Sequence, residues 1–267
     1  MLTTSCTPAD TGGRAGAAQA GGTVPTRVRA ELRGGRVTLP ELRAGDTLVP
    51  RVLAVDGPRV RLALVGRRAT LLAGDRVEVD VEVGAGVRMD IVEPSGTVAY
   101  DARGGRAGWV ARIGVAPGGA VTWRAAPLVV ADGADVRREL DVRLADGAVA
   151  LLSELLVLGR SGQAGGALFA RQRVQHAGEL LLADDLDLRD PRARARPAIL
   201  GPNRVIGTVA LLGRPPLTAP APPAALLAGP GALARVVARD AHQAQPELDR
   251  WWHTWCRLQD EGIAEGS

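Results

Sequence analysis

The chain contains no lysine: all 33 basic residues are arginine, set against 29 acids for a formal net charge of +4. Alongside abundant alanine, glycine and valine, the missing lysine reads as the imprint of a GC-rich genome, and no function attaches to it. Charges of both signs are interspersed, so no basic stripe marks a nucleic-acid binder. Cysteine occurs only as Cys6 and Cys256. Neither belongs to a CxxC pair, which argues against a zinc site and a disulfide framework and fits a reducing compartment. No run of about 18 apolar residues is present, so no membrane span is expected. The opening "MLTTSCTPADTGGRAGAAQAGGTVP" lacks the basic start and the apolar stretch of a signal peptide. Residues 1–25 are expected to be a disordered tail, and the protein is expected in the cytoplasm. Also missing are a G-x-S-x-G elbow, a Walker A loop, an H-E-x-x-H pair and a Rossmann glycine pattern.

What is present is a two-residue rhythm. In "RVEVDVEVGAGVRMDIV", Val77, Val79, Val81 and Val83 alternate with Glu78, Asp80 and Glu82. On a strand this puts the valines on one face and the acids on the other, whereas a helix would scatter the valines around its axis. Gly84-Ala85-Gly86 supplies the backbone freedom of a turn, after which Val87, Met89 and Ile91 resume the alternation. The strand–turn–strand unit returns in 109–125, around Pro117-Gly118-Gly119, and in 137–159, around Ala145-Asp146-Gly147. Recurrence at about thirty residues predicts stacked repeats, each a hairpin too small to bury its own apolar face.

Further strands are expected in 26–42, 59–66, 204–213 and 234–240, and a hairpin in 168–188 turning at Ala177-Gly178. Residues 214–230 are proline-rich and read as a loop. In 246–261, Leu248, Trp251, Trp252, Trp255 and Leu258 fall at helical spacing, with Pro246 suited to a first turn and Gly262 to the end. The expected fold is mostly β, a stacked, solenoid-like helical sheet with one or a few helices, the clearest near the C-terminus, forming one domain over 26–261 and followed by a tail at 262–267.

Several acids stand out. Glu154 interrupts the apolar run "LLSELLVLG", where it is either a solvated strand residue or a buried charge needing a partner, water or a metal. Asp184, Asp185, Asp187 and Asp190 cluster in "ADDLDLRD". Asp75 follows a small-residue turn, where an aspartate commonly bonds its own backbone. His253 and Cys256 lie one helical turn apart among tryptophans, a pattern of helix packing more than of metal ligation. Paired acids on a stacked β frame would also suit a carbohydrate-active enzyme, and a plain scaffold with solvated acids is a third reading.

Taken together, Ala73-Gly74-Asp75, the Val83–Gly86 turn, "EPSGTVAY" (93–100), the block 120–160 ending in Leu158-Gly159-Arg160, and "ELLLADDLDL" (179–188) resemble the urease accessory protein family UreD, called UreH in some organisms. The likeness spans roughly 27–258, and Ala73 stands where the family has glycine. The resemblance implies a largely β, non-enzymatic maturation factor. It would join UreF and the GTPase UreG on apo-urease and help deliver nickel through an internal passage. It also implies that Asp75, Thr97, Glu154 and Asp184 line that passage, with nickel in transit, no permanently bound cofactor, and neither nucleic acid nor membrane as a partner. Isolated carboxylates and hydroxyls hold Ni²⁺ less tightly than histidine or cysteine clusters, which suits passage over storage.

Overall fold

The structure, a computed structural model, describes residues 23–261. Of the tail expected at 1–25, residues 1–22 lie outside the described residues, as does the tail expected at 262–267. The chain opens with β1 (Thr26–Arg33), β2 (Arg36–Arg43), β3 (Leu48–Asp56), β4 (Arg59–Gly66), β5 (Thr70–Leu71) and β6 (Arg76–Val83). It continues through β7 (Arg88–Val92), β8 (Thr97–Ala99), β9 (Ala107–Val115), β10 (Ala120–Arg124), β11 (Leu128–Val130) and β12 (Asp135–Leu144). Then follow β13 (Val149–Leu158), β14 (Ala167–His176), β15 (Glu179–Asp187), α1 (Pro191–Arg194), β16 (Val205–Leu212), β17 (Ala224–Leu226), β18 (Gly231–Ala238) and α2 (Ala241–Glu261).

Two sheets stack face to face. One has seven strands in the order β15-β14-β12-β9-β6-β1-β2, and the other follows β17-β18-β16-β13-β10-β7-β4-β3. The repeat is confirmed, but its unit is an arch and not a hairpin. β6 pairs in parallel with β1 and β9, while its successor β7 pairs in parallel with β4 and β10. β9/β10 and β12/β13 divide between the sheets in the same way. Alternation is equally satisfied by either geometry. In a hairpin the apolar residues of both strands share one face, whereas in an arch they confront each other across the core. The backbone partner of each strand is then the next repeat, so the stack satisfies the edges that an isolated unit would leave open. Successive arches sit directly on one another, with Ala116 N–H donating to Val83 O at 2.8 Å and Ala145 N–H to Val115 O at 2.9 Å. Gly84 permits this approach: a Cβ there would lie 2.7 Å from Ala30 O.

True hairpins close the two ends of the stack. β1/β2 turns through Gly34-Gly35, and β14/β15 turns through Ala177-Gly178, all four at positive φ. The main core lies between the sheets and includes Val77, Val79 and Val81 from one side and Met89, Ile91 and Leu152 from the other. A second core lies on the far side of β13 and β16, where Leu151, Leu155 and Val209 meet Leu248, Trp251 and Trp255 of α2. β16, buried along its whole length, is thus covered on both faces.

Three details differ from expectation. α2 begins at Ala241, so Pro246 lies inside the helix and not in its first turn. Tertiary packing of Ala244, Leu248 and Trp251 holds the segment helical despite the donor that proline lacks. The proline-rich stretch contributes a short edge strand, β17, to the sheet, and α1 was not foreseen. Leu258 lies outside the described side chains.

Candidate functional site

The strand phase that points into the main core is apolar almost throughout, yet it carries a polar seam. On β12 the inward series is Val136, Arg138, Leu140, Val142; on β13 it is Leu152, Glu154, Leu156; on β14, Ala170, Gln172, Val174. Arg138, Glu154 and Gln172 are each less than a tenth exposed. They meet across the sheets: Arg138 Nε donates to Glu154 Oε2 at 2.8 Å and Gln172 Nε2 to Oε1 at 2.5 Å. The Arg138 guanidinium also lies 3.9 Å from the ring centre of Trp109, so the charge is held by a carboxylate and a π face together. Glu154 is therefore a buried, partnered charge and not a solvated strand residue.

Three small cavities run along this seam and share walls. The outer one, about 20 Å³, is lined by Arg68, Glu93, Ser95, Thr97 and Trp109 among others. Arg68 and Ser95 are exposed, which places its mouth at the surface. The middle one, about 10 Å³, shares Glu93, Thr97 and Trp109 with the outer and Trp109, Arg138 and Glu154 with the inner. The inner one, about 20 Å³, adds Trp123, Ser153, Gln172 and Thr208. Each holds on the order of one water molecule, which needs roughly 10–15 Å³. The Thr208 hydroxyl, buried against the inner cavity, has no hydrogen-bond partner among the described residues.

The sequence-expected residues lie along this line but are not gathered at one point. Thr97 and Glu154 line cavities directly. Asp75 lines none of them. Its carboxylate accepts from Leu72 N–H at 2.8 Å and from Arg68 at 3.0 Å, so it closes its own turn and holds Arg68 back at the mouth. Asp184 sits beyond the inner cavity, opposite Gln172 in register, and pairs with Arg235. That pair joins β15 of one sheet to β18 of the other and closes the far end of the seam. Among the described residues no group of three or more His, Cys, Asp or Glu side chains is arranged to hold a metal ion. His253 is exposed, and its Nδ1 lies 2.6 Å from Asp249 O.

The inward residues missed by the sequence reading are Arg138, Gln172, Thr208, Arg235 and Glu93. Glu93 carried a signal: it continues the inward phase of Val87, Met89 and Ile91 past the end of β7. Its carboxylate accepts from Trp123 Nε1 at 2.8 Å and from Ala126 N–H at 3.3 Å. Burial pushes this carboxyl above the ordinary range, outweighing the opposing hydrogen bond from Trp123, the charge of Arg138 and the Ala126 amide. Asp75, Glu154 and Asp184 each hold an arginine.

The fold and site define a class: a two-sheet stacked β protein whose distinctive chemistry lies in a string of small cavities where a few polar side chains enter an otherwise apolar interior. The chain belongs to the UreD family. The family described as "UreD urease accessory protein" matches residues 24–264. The chain is 48% identical over 232 residues to urease accessory protein UreD 1 of Streptomyces griseus, covering 86% of this chain and 91% of that one. It is 38% identical over 232 residues to UreD 1 of Saccharopolyspora erythraea, with coverage of 83% and 91%. A third relative, UreD 3 of S. griseus, is 35% identical over 240 residues, with coverage of 84% and 93%. No helix among the described residues is long and apolar enough to cross a membrane.

Proposed function

We propose that this chain serves urease maturation as a non-enzymatic factor that joins UreF, UreG and apo-urease and passes nickel through its interior. The observation that supports this reading is the string of three wall-sharing cavities from Arg68 at the surface to Thr208 within. Nickel is the cargo. Cavities of this size admit an ion only after it sheds most of its water, which wall oxygens then replace. The possible ligands in the walls are carboxylates, hydroxyls and an amide, oxygen donors weak enough to release the ion again. The Arg138–Glu154 pair is an obstacle on this path, because an ion reaching Glu154 displaces a guanidinium.

The test is co-expression of the host's urease subunits with UreF and UreG in nickel medium, with and without this chain. Urease activity that depends on the chain is expected, as is co-purification with UreF. Full activity without it would end the proposal.

A further inference from the structure

We propose that Glu93 is the first resting site for a partly dehydrated divalent transition-metal ion inside the protein, with the Thr97 hydroxyl as a neighbouring ligand. This inference rests on the passage reading above and assigns a position to its first step. Four carboxylates lie along the seam, and three of them are already neutralised: Asp75 by Arg68, Glu154 by Arg138, Asp184 by Arg235. An ion binding any of these must drive off a resident guanidinium. Among the described residues Glu93 alone of the four has no ion-pair partner, and its two hydrogen bonds come from neutral donors, an indole and a backbone amide.

Its position lies near the end of the string that opens at the surface. Glu93 and Thr97 both line the wall between the outer and middle cavities, one cavity in from the mouth. The cationic groups lining these two cavities are Arg68, held by Asp75, and Arg138, taken by Glu154, which lines the middle cavity too. A cation beside Glu93 therefore meets a carboxylate with no direct ion pair, its neighbouring charge Arg138 being bonded to Glu154, in a setting where an opposite charge is worth more than in bulk water. A single carboxylate with hydroxyls and water is still a weak site for a transition metal, as transit requires.

The test uses the full chain with ¹⁵N-labelled tryptophan and Ni²⁺ alone as the probe. Trp123 donates its indole N–H to Glu93, and Trp109 lines both cavities, whereas Trp251, Trp252 and Trp255 lie on α2. Paramagnetic Ni²⁺ is expected to broaden the Trp123 and Trp109 indole signals first. Glu93→Gln keeps an acceptor for Trp123 and is expected to weaken this broadening at least tenfold, while Asp184→Asn leaves it within about twofold. Should Glu93→Gln fail to fold, Thr97→Val gives the second reading, with an expected loss of several-fold. Unchanged broadening in Glu93→Gln, or first broadening of the α2 tryptophans, overturns the proposal. The two readings separate in the activation assay. Chain-dependent urease activation with unaltered Ni²⁺ broadening in Glu93→Gln sinks the Glu93 site alone. Loss of broadening with undiminished activation upholds the site and sinks the passage.

Discussion

Arg138 and Glu154 come from opposite sheets and close at 2.8 Å, both side chains less than a tenth exposed. Removing one partner of such a pair leaves an unpaired charge in the core. Glu154→Ala is expected to cost about 3–5 kcal/mol, whereas the apolar double change Arg138→Met with Glu154→Leu is neutral or stabilising. Urea unfolding of both variants checks this. A Glu154→Ala loss below about 1 kcal/mol would show that the pair is solvated and the interior is open to bulk water.

Thr208 presents the opposite case. Its buried hydroxyl has no partner among the described residues, and its strand neighbours in register are Glu154 on one side and Arg235 on the other. Thr208→Val keeps the shape and removes the unsatisfied group, so stability is expected to rise by about 1 kcal/mol. A fall of that size in thermal and urea denaturation would mean that the hydroxyl is bonded within the inner cavity.

Asp75→Asn tests whether that residue is a ligand or a positioning group. The amide can still accept from Leu72 N–H, but the charge that holds Arg68 is gone. Arg68, which already lines the outer cavity, is then free to swing into it, and activation is expected to slow several-fold. Asp75→Asn combined with Arg68→Gln is expected to restore it. If the double variant stays as slow as the single one, Asp75 acts directly on the ion.

The β14/β15 hairpin supplies a pH signature. Hydrogen bonds from Arg173 and then Arg171 hold Asp185 down at about 2, against an ordinary 3.8. A carboxyl depressed on folding contributes stability that is fully present above its unfolded value. That contribution is lost as pH falls through the folded value. Here the window lies between about 4 and 2. A carboxyl-detected NMR titration is expected to place Asp185 near 2 in the parent and close to the ordinary value in Arg171→Gln with Arg173→Gln. A parent midpoint near 4 would show that the exposed pairs exchange freely with solvent.

The sequence by itself determined the strands. Val77, Val79, Val81 and Val83 alternate with acids, and no periodicity but that of a strand can bury the one set and wet the other. It determined the turns at Gly86, Gly118 and Gly147, where positive φ favours glycine. It also determined the thirty-residue recurrence, hence a stack. Family resemblance, more than residue chemistry, singled out Thr97, which is one hydroxyl among many in the sequence.

Only the tertiary structure decided which strands pair. A hairpin and an arch write the same alternation, and the choice rests on contacts between residues about thirty positions apart. For the same reason the partners of the acids stayed hidden. Glu154 finds Arg138 across two sheets, Asp184 finds Arg235 from 51 residues away, and neither separation follows a local period. Glu93 was legible in part, since it keeps the inward phase of β7. That it has no arginine of its own depends on where every other arginine went, which is a property of the packed interior and of no segment within it.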